Sequence, residues 1–256
     1  MTELPYNAII MDLDRTLLRP DKTISAYTRE VLGKWKEAGA YLFAATARPE
    51  RAIMEYRALI GFHSVTTLNG ARTITPASVL ENAIGRKDAE SILRQLERID
   101  GTVVSVETGT GLYANTEIPV WQPAVIDDLC GLPAREKIYK ILVSHPVIPP
   151  EQIVIGMPEG VYSTVADRKL RQYMSRSATK WEGIRQMLQS AGIDASQAIF
   201  FGDDNDDIGP IMKCGCGVAV GNALDCVKEC ADHITLSNDE DGVAVFLDQL
   251  LKPAKT

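Results

Sequence analysis

Ile9-Ile10-Met11-Asp12-Leu13-Asp14-Arg15-Thr16-Leu17-Leu18 is the stretch whose reading decides the fold. An apolar run that halts at two carboxylates, with a hydroxyl two residues later, reads as a buried strand whose C-terminal end delivers acids to a cleft. Open α/β sheets bind their ligands at that end of the strands. Taken alone, an Asp-x-Asp is also an ordinary polar turn closing a strand. The functional reading rests on three later segments that supply the other parts of a phosphate-and-metal site.

Outward from this stretch the chain alternates. Ala26, Val31, Leu32 and Trp35 recur at helical spacing before a stop at Gly39, and Tyr41-Leu42-Phe43-Ala44-Ala45-Thr46-Ala47-Arg48-Pro49 is a second apolar strand, ending in a hydroxyl, a small residue and a cation. A second helical pattern runs through Leu59, and Thr66-Thr67-Leu68-Asn69-Gly70-Ala71 reads as a third, shorter strand closing in a turn. Strand, helix, strand, helix implies a parallel sheet with right-handed crossovers.

Between residues 82 and 174 the pattern changes. A helix from Arg86 to Ile99 precedes two β-rich runs, Thr102 to Glu107 and Gly111 to Asn115, separated in the manner of a hairpin. A Pro-bounded helix, a strand from Lys137 to Ser144, a short helix at Pro149-Pro150 and strands at Val161 to Val165 and Leu170 to Met174 are expected next. Thereafter parallel alternation resumes: Thr179 caps a helix from Lys180 to Ala191, and Ala198-Ile199-Phe200-Phe201-Gly202-Asp203 is again a buried strand ending in an acid. The sequence therefore predicts a discontinuous α/β core, residues 1–81 and 175–256, with an α+β domain, 82–174, inserted.

A chain of 256 residues has room for two such units. Its net charge of −7, with both signs interspersed, gives no footprint for nucleic acid or an anionic membrane. No segment is apolar enough to span a bilayer and no leader pattern opens the chain, so a cytoplasmic protein acting on a small polar ligand is expected. Four of the 5 cysteines, Cys214, Cys216, Cys226 and Cys230, lie late, in a spacing that matches no common zinc signature; reduced thiols in a core are expected.

Cleaving a phosphate monoester requires neutralised phosphoryl oxygens, an in-line nucleophile and a proton for the leaving alkoxide. Asp12 can attack phosphorus as a carboxylate, and Asp14 can give a proton to the leaving group and take one from water. Clustered acids need a cation, and hard oxygen ligands beside phosphate favour Mg²⁺. Asp203 supplies a further strand-end carboxylate, and Asp204, Asp206 and Asp207 thicken the cluster. Thr46, with the backbone N–H groups of Ala47 and its neighbours at a helix start, and Lys180 can hold phosphate.

The set Asp12-Leu13-Asp14-Arg15-Thr16, Ala45-Thr46-Ala47-Arg48, Lys180 and Gly202-Asp203-Asp204-Asn205-Asp206-Asp207 resembles the four motifs of the haloacid dehalogenase superfamily of phosphohydrolases. Leu68-Asn69-Gly70-Ala71, Gly217 to Ala223, Ala231-Asp232 and Asn238 to Ala244 are similar to its Cof-type branch, which carries an α/β cap between the second and third motifs. The resemblance implies a Rossmann-like core and Asp12 as phosphorylated nucleophile with Asp14 as acid/base. It also implies Mg²⁺ on Asp12, the Asp14 backbone carbonyl and Asp203, with Thr46, Ala47 and Lys180 on phosphate and Asp206 and Asp207 behind them. Arg15, Arg48 and Asn69 are the candidate substrate contacts.

The chain departs from the pattern in several places. Arg15 and Ala47 stand where glycine is usual, Asp206 where asparagine is usual, and Ser177-Ala178-Thr179-Lys180-Trp181 lacks the common Ser-Lys-Gly wording. The expected activity is hydrolysis of a small phosphorylated metabolite: a sugar phosphate, a phosphoglycerate derivative or a cofactor phosphate. A phosphomutase, a non-catalytic phosphometabolite-binding module and a receiver-like phosphoacceptor are the other classes, the last disfavoured by the insertion. Substrate and oligomeric state are not legible.

Overall fold

Ala8–Met11 (β1) is buried along its whole length, as a strand covered on both faces must be. The computed structural model describes residues 4–166 and 169–251. After β1 come α1 (Ala26–Glu37), β2 (Tyr41–Ala45), α2 (Met54–Ile60) and β3 (Ser64–Thr67), then β4 (Arg72–Ile74) and β5 (Val79–Glu81). Within 82–174 lie α3 (Arg86–Glu97), β6 (Val103–Thr108), β7 (Leu112–Ala114), β8 (Ala124–Val125), β9 (Ile138–Ser144) and β10 (Val161–Ala166). β11 (Leu170–Ser175) follows, and the chain closes with α4 (Lys180–Ala191), β12 (Ala198–Gly202), α5 (Ile208–Lys213), β13 (Cys216–Ala219), α6 (Asp225–Cys230), β14 (His233–Ile234) and α7 (Gly242–Leu251).

The chain divides into two compact units, Met1–Leu80 with Thr179–Thr256, and Glu81–Ala178. The first is built on an eight-stranded sheet of order β14-β13-β12-β1-β2-β3-β4-β5. Strands from β14 to β3 are parallel, and β4 turns back antiparallel on β3. β1 sits between β12 and β2, with Ile9 opposite both Ile199 and Leu42. This register brings Asp12, Thr46 and Asp203 to one end of three neighbouring strands.

Local chemistry fixes the helices. The Ser25 hydroxyl accepts from Thr28 N–H at the start of α1, a cap worth about 1 kcal/mol. Val31, Leu32 and Trp35 form its buried stripe, and the Trp35 indole donates to the Leu247 carbonyl of α7. In α5, Pro210 falls in the first turn, where its missing N–H is tolerated.

The second unit carries a six-stranded sheet of order β10-β11-β9-β6-β7-β8, antiparallel except where β8 joins β7. Ile92, Leu93 and Leu96 of α3 form its core with Val104, Val106, Ile141, Val143 and Tyr173.

Several expectations need correction. The two compact units meet after Leu80 and after Ala178, one and four residues from the expected junctions. The Glu81 side chain pairs with Lys137 and Tyr139, and Tyr162 donates to the Ala178 carbonyl, which ties these two residues to the inserted unit. The Pro-bounded helix is replaced by turns, the short β8 and a single 3-10 turn, Leu132–Ala134. The thiols are free, but Cys226 and Cys230 are exposed because Val227 alone is buried on the short α6. Among the described residues no helix is long and apolar enough to cross a membrane.

Candidate active site

Each site group lies in the first unit at the end of an element. Asp12 follows β1, and its backbone N–H donates to the Phe201 carbonyl at 3.0 Å, tying the strand end to β12. Asp203 follows β12 directly. Lys180 is the first residue of α4, capped by Thr179, whose hydroxyl accepts from Glu182 N–H.

Two close approaches seat α4. A Cβ on Gly70 would lie 1.9 Å from the Thr179 carbonyl oxygen, and one on Gly183 would lie 2.0 Å from the Thr66 hydroxyl. Gly70 also has φ +92, a backbone that side chains resist, in a run of left-handed residues with Leu68 at 51 and Asn69 at 56. The chain at 68–70 is thus shaped to let the segment entering α4 pass against it, which delivers Lys180 to Asp12.

Among the described residues one group of carboxylates is arranged to hold a metal ion: Asp12, Asp203 and Asp207, each offering an oxygen within 4.8 Å of the others and all buried. The Lys180 ammonium donates to Asp207 Oδ1 at 2.5 Å and lies 3.5 Å from Asp12 Oδ1. Asp207 Oδ2 accepts from the backbone N–H groups of Asp203 and Asp204 at 2.9 and 3.1 Å, closing the loop on itself. The Thr16 hydroxyl donates to Asp203 Oδ1 at 2.8 Å, which gives a role to the hydroxyl that ends the opening motif.

Burial raises the pKa of Asp12 well above the ordinary range; Lys180 opposes this, while Asp207 and Asp203 add to it. Asp203 is pushed up to about 6 by burial and by Asp207, against Thr16, Arg15 and Lys180. Burial disfavours the charge on Lys180, but Asp12, Asp207 and Asp206 hold its proton more firmly than in water. Three carboxylates and one ammonium in a dry pocket are short of positive charge, and their oxygens suit a hard divalent ion such as Mg²⁺.

Asp14 lies in different surroundings. Its carboxylate receives a two-pronged pair from Arg48, Nε to Oδ2 at 2.5 Å and Nη2 to Oδ1 at 2.7 Å, and the Lys22 ammonium at 2.7 Å. Burial pushes its pKa up, but Arg48 and Lys22 outweigh burial and hold it below the usual value.

The remaining expected residues are placed as follows. Asn69 donates its side-chain amide to Asp206, so the extra acid in that position has a partner. Thr46 is buried, and its hydroxyl accepts from Arg48 N–H at 3.2 Å; a 3-10 turn at Glu50–Ala52 follows, and α2 begins only at Met54, so no helix starts directly after Thr46 as expected. Ala47 is not among the residues with positive φ, so its methyl carries no backbone strain there. Arg15 does have φ 60, the conformation glycine enters freely. Its guanidinium lies 3.6 Å from Asp203, and Asn222 donates to its carbonyl at 2.7 Å. Sequence reasoning missed Lys22, because no strand end or motif spacing marks it; its contact depends on a left-handed turn at φ 66.

Known proteins resemble this chain along its length. The chain is 26% identical over 273 residues to the 5-amino-6-(5-phospho-D-ribitylamino)uracil phosphatase YitU of Bacillus subtilis, covering 97% of this chain and 98% of that protein. It is 25% identical over 256 residues to YcsE of the same organism, which bears the same activity in its name, with 94% of each covered. A haloacid dehalogenase-like hydrolase from Bacteroides thetaiotaomicron, 23% identical, superimposes with a TM-score of 0.84 over 96% of this chain and 100% of that one, a likeness of fold. YitU and YcsE are both named phosphatases, and with the sequence profile of the haloacid dehalogenase-like hydrolases matching residues 9–247, the chain belongs to that family.

Proposed function

We propose that the chain is a Mg²⁺-dependent, cytoplasmic phosphohydrolase that cleaves the phosphate monoester of a small metabolite through an aspartyl-phosphate. The observation that carries this reading is the buried convergence of Asp12, Asp203, Asp207 and Lys180 at the ends of neighbouring elements. The phosphorylated ribitylaminouracil in the names of the Bacillus relatives supports a small phosphometabolite as the substrate class.

In the first step an Asp12 oxygen bonds to phosphorus as the ester P–O bond breaks, and Asp14 gives its proton to the departing alkoxide. In the second, water attacks the same phosphorus, its proton passes to Asp14, and the phosphorus–Asp12 bond breaks to release inorganic phosphate. Lys180 and Thr46, with the backbone N–H of Ala47, would hold the phosphoryl oxygens. Asp12, Asp203 and Asp207 fit a Mg²⁺ ion by charge, burial and spacing, with the Asp14 carbonyl as a further oxygen ligand; the ion's chemistry would be neutralisation of nucleophile and phosphate. Asp14 can deliver a proton only after parting from Arg48 and Lys22, which stabilise its charged form.

The test is hydrolysis of 4-nitrophenyl phosphate. Activity should require Mg²⁺, disappear in EDTA and fall by at least about 10⁴-fold in Asp12→Asn. Release of phosphate that survives this neutral, equal-sized replacement overturns the nucleophile.

A further inference from the structure

The first unit holds two kinds of cation. Lys180 is committed to Asp12 and Asp207 in the interior, with a side chain only 3% exposed. Lys22 and Arg48 both rest on the one carboxylate of Asp14, leaving a surplus positive charge there, and the Lys22 side chain is 50% exposed. An ammonium has three donors and only one of Lys22's is on Asp14, so the others remain available. The neighbouring Asp21 does not draw Lys22 away, since its carboxylate accepts from the Thr23 N–H and hydroxyl. Arg15 adds a third cation beside Asp203 with more than half its side chain in water.

This arrangement is braced. The Tyr56 hydroxyl donates to the Lys22 carbonyl at 3.0 Å, and the Arg48 guanidinium lies 5.5 Å from the centre of the Tyr56 ring. One aromatic side chain thereby fixes both cations on Asp14, the group from which the leaving alkoxide takes its proton in the reaction proposed above. A negative group on the leaving portion of a substrate, a few bonds from the ester oxygen, would meet fixed cations there.

We propose that Lys22, Arg48 and Arg15 form a cationic rim that selects phosphate monoesters carrying a second anionic group, carboxylate or phosphate, over esters of neutral alcohols. The inference rests on the hydrolase reading for where the leaving group emerges, but it concerns recognition and is tested by binding. Fixed cations recognise planar carboxylates and phosphates by charge-assisted hydrogen bonds, so discrimination appears in affinity.

Calorimetry on the Asp12→Asn protein in Mg²⁺ compares two matched pairs: 3-phosphoglycerate with glycerol 3-phosphate, and fructose 1,6-bisphosphate with fructose 6-phosphate. At least one ligand carrying the second anionic group should bind about tenfold more tightly than its partner with an uncharged alcohol portion, and the pair that discriminates identifies the second anion as carboxylate or phosphate. Adding Lys22→Met should reduce that ratio to about threefold or less, and Tyr56→Phe should reduce it in the same direction by releasing the Lys22 turn. Equal affinities within both pairs, or a ratio that Lys22→Met leaves intact, overturn the rim. Wild-type turnover of 4-nitrophenyl phosphate is measured in parallel: its absence alongside discriminating binding overturns the hydrolase and supports the rim as part of a binding module.

Discussion

Asp12 and Asp14 are separated by one leucine, yet one belongs to the interior and the other to the rim. Asp12 shares a dry pocket with Asp203, Asp207 and Lys180, where burial raises carboxylate pKa values and each charge depends on a named partner. Asp14 stands in partial contact with water, where two cations lower its pKa and solvent screens all three charges. The same residue type is therefore structurally demanding in one place and adjustable in the other. In the interior, removing a partner strands a charge; at the rim, removing one changes what the pocket attracts.

The sharpest way to break this comparison is Lys180→Met. It leaves the fully buried Asp207 without its cation, and a broken buried pair costs about 3–5 kcal/mol, readable as a lower urea midpoint with an unchanged slope. A loss under about 1 kcal/mol would mean the interior is wetter than described. Next in size is Gly70→Ala, whose methyl would strike the Thr179 carbonyl on a left-handed backbone, costing about 2–3 kcal/mol in the same assay.

The pH dependence sharpens it further. The folded protein keeps the Asp203 proton up to about pH 6, whereas an unfolded aspartate releases it near 3.8, so without metal the melting temperature should fall as pH rises through that window. Mg²⁺ at ten times its dissociation constant should restore about 1.4 kcal/mol at pH 8 and little at pH 4.5, where the ligands hold protons. Equal Mg²⁺ stabilisation at both values would remove Asp203 from the ligand set. The smallest effect belongs to the rim: Lys22→Met should change stability by under about 1 kcal/mol, because an exposed pair on Asp14 contributes little.

What could be read from the sequence follows the same division. β1, β2 and β12 are legible because strands buried on both faces appear as unbroken apolar runs, and their last residues place Asp12, Thr46 and Asp203. β4 and β5 escape notice because they are three residues each and follow a turn whose left-handed run at 68–70 leaves no periodic trace. The segment after Asn115 misleads because Val120 and Trp121 look like a helix stripe yet are exposed between prolines. In the acidic loop, residue types alone do not say which aspartate turns inward. The 3-10 turn Asn205–Asp207 settles it by directing Asp207 at Lys180 and Asp206 at Asn69.

The position of β1 has a consequence for how the chain is made. Ribosomes release β1 and β2 early, but the other edge of β1 is hydrogen-bonded by β12, which emerges only after the whole inserted unit. Until then the nascent chain presents an apolar strand with one side open, the kind of edge that recruits strands from other chains. A translation arrest within Glu81–Ala178 would leave the strand that leads into Asp12 as the most adhesive part of the product.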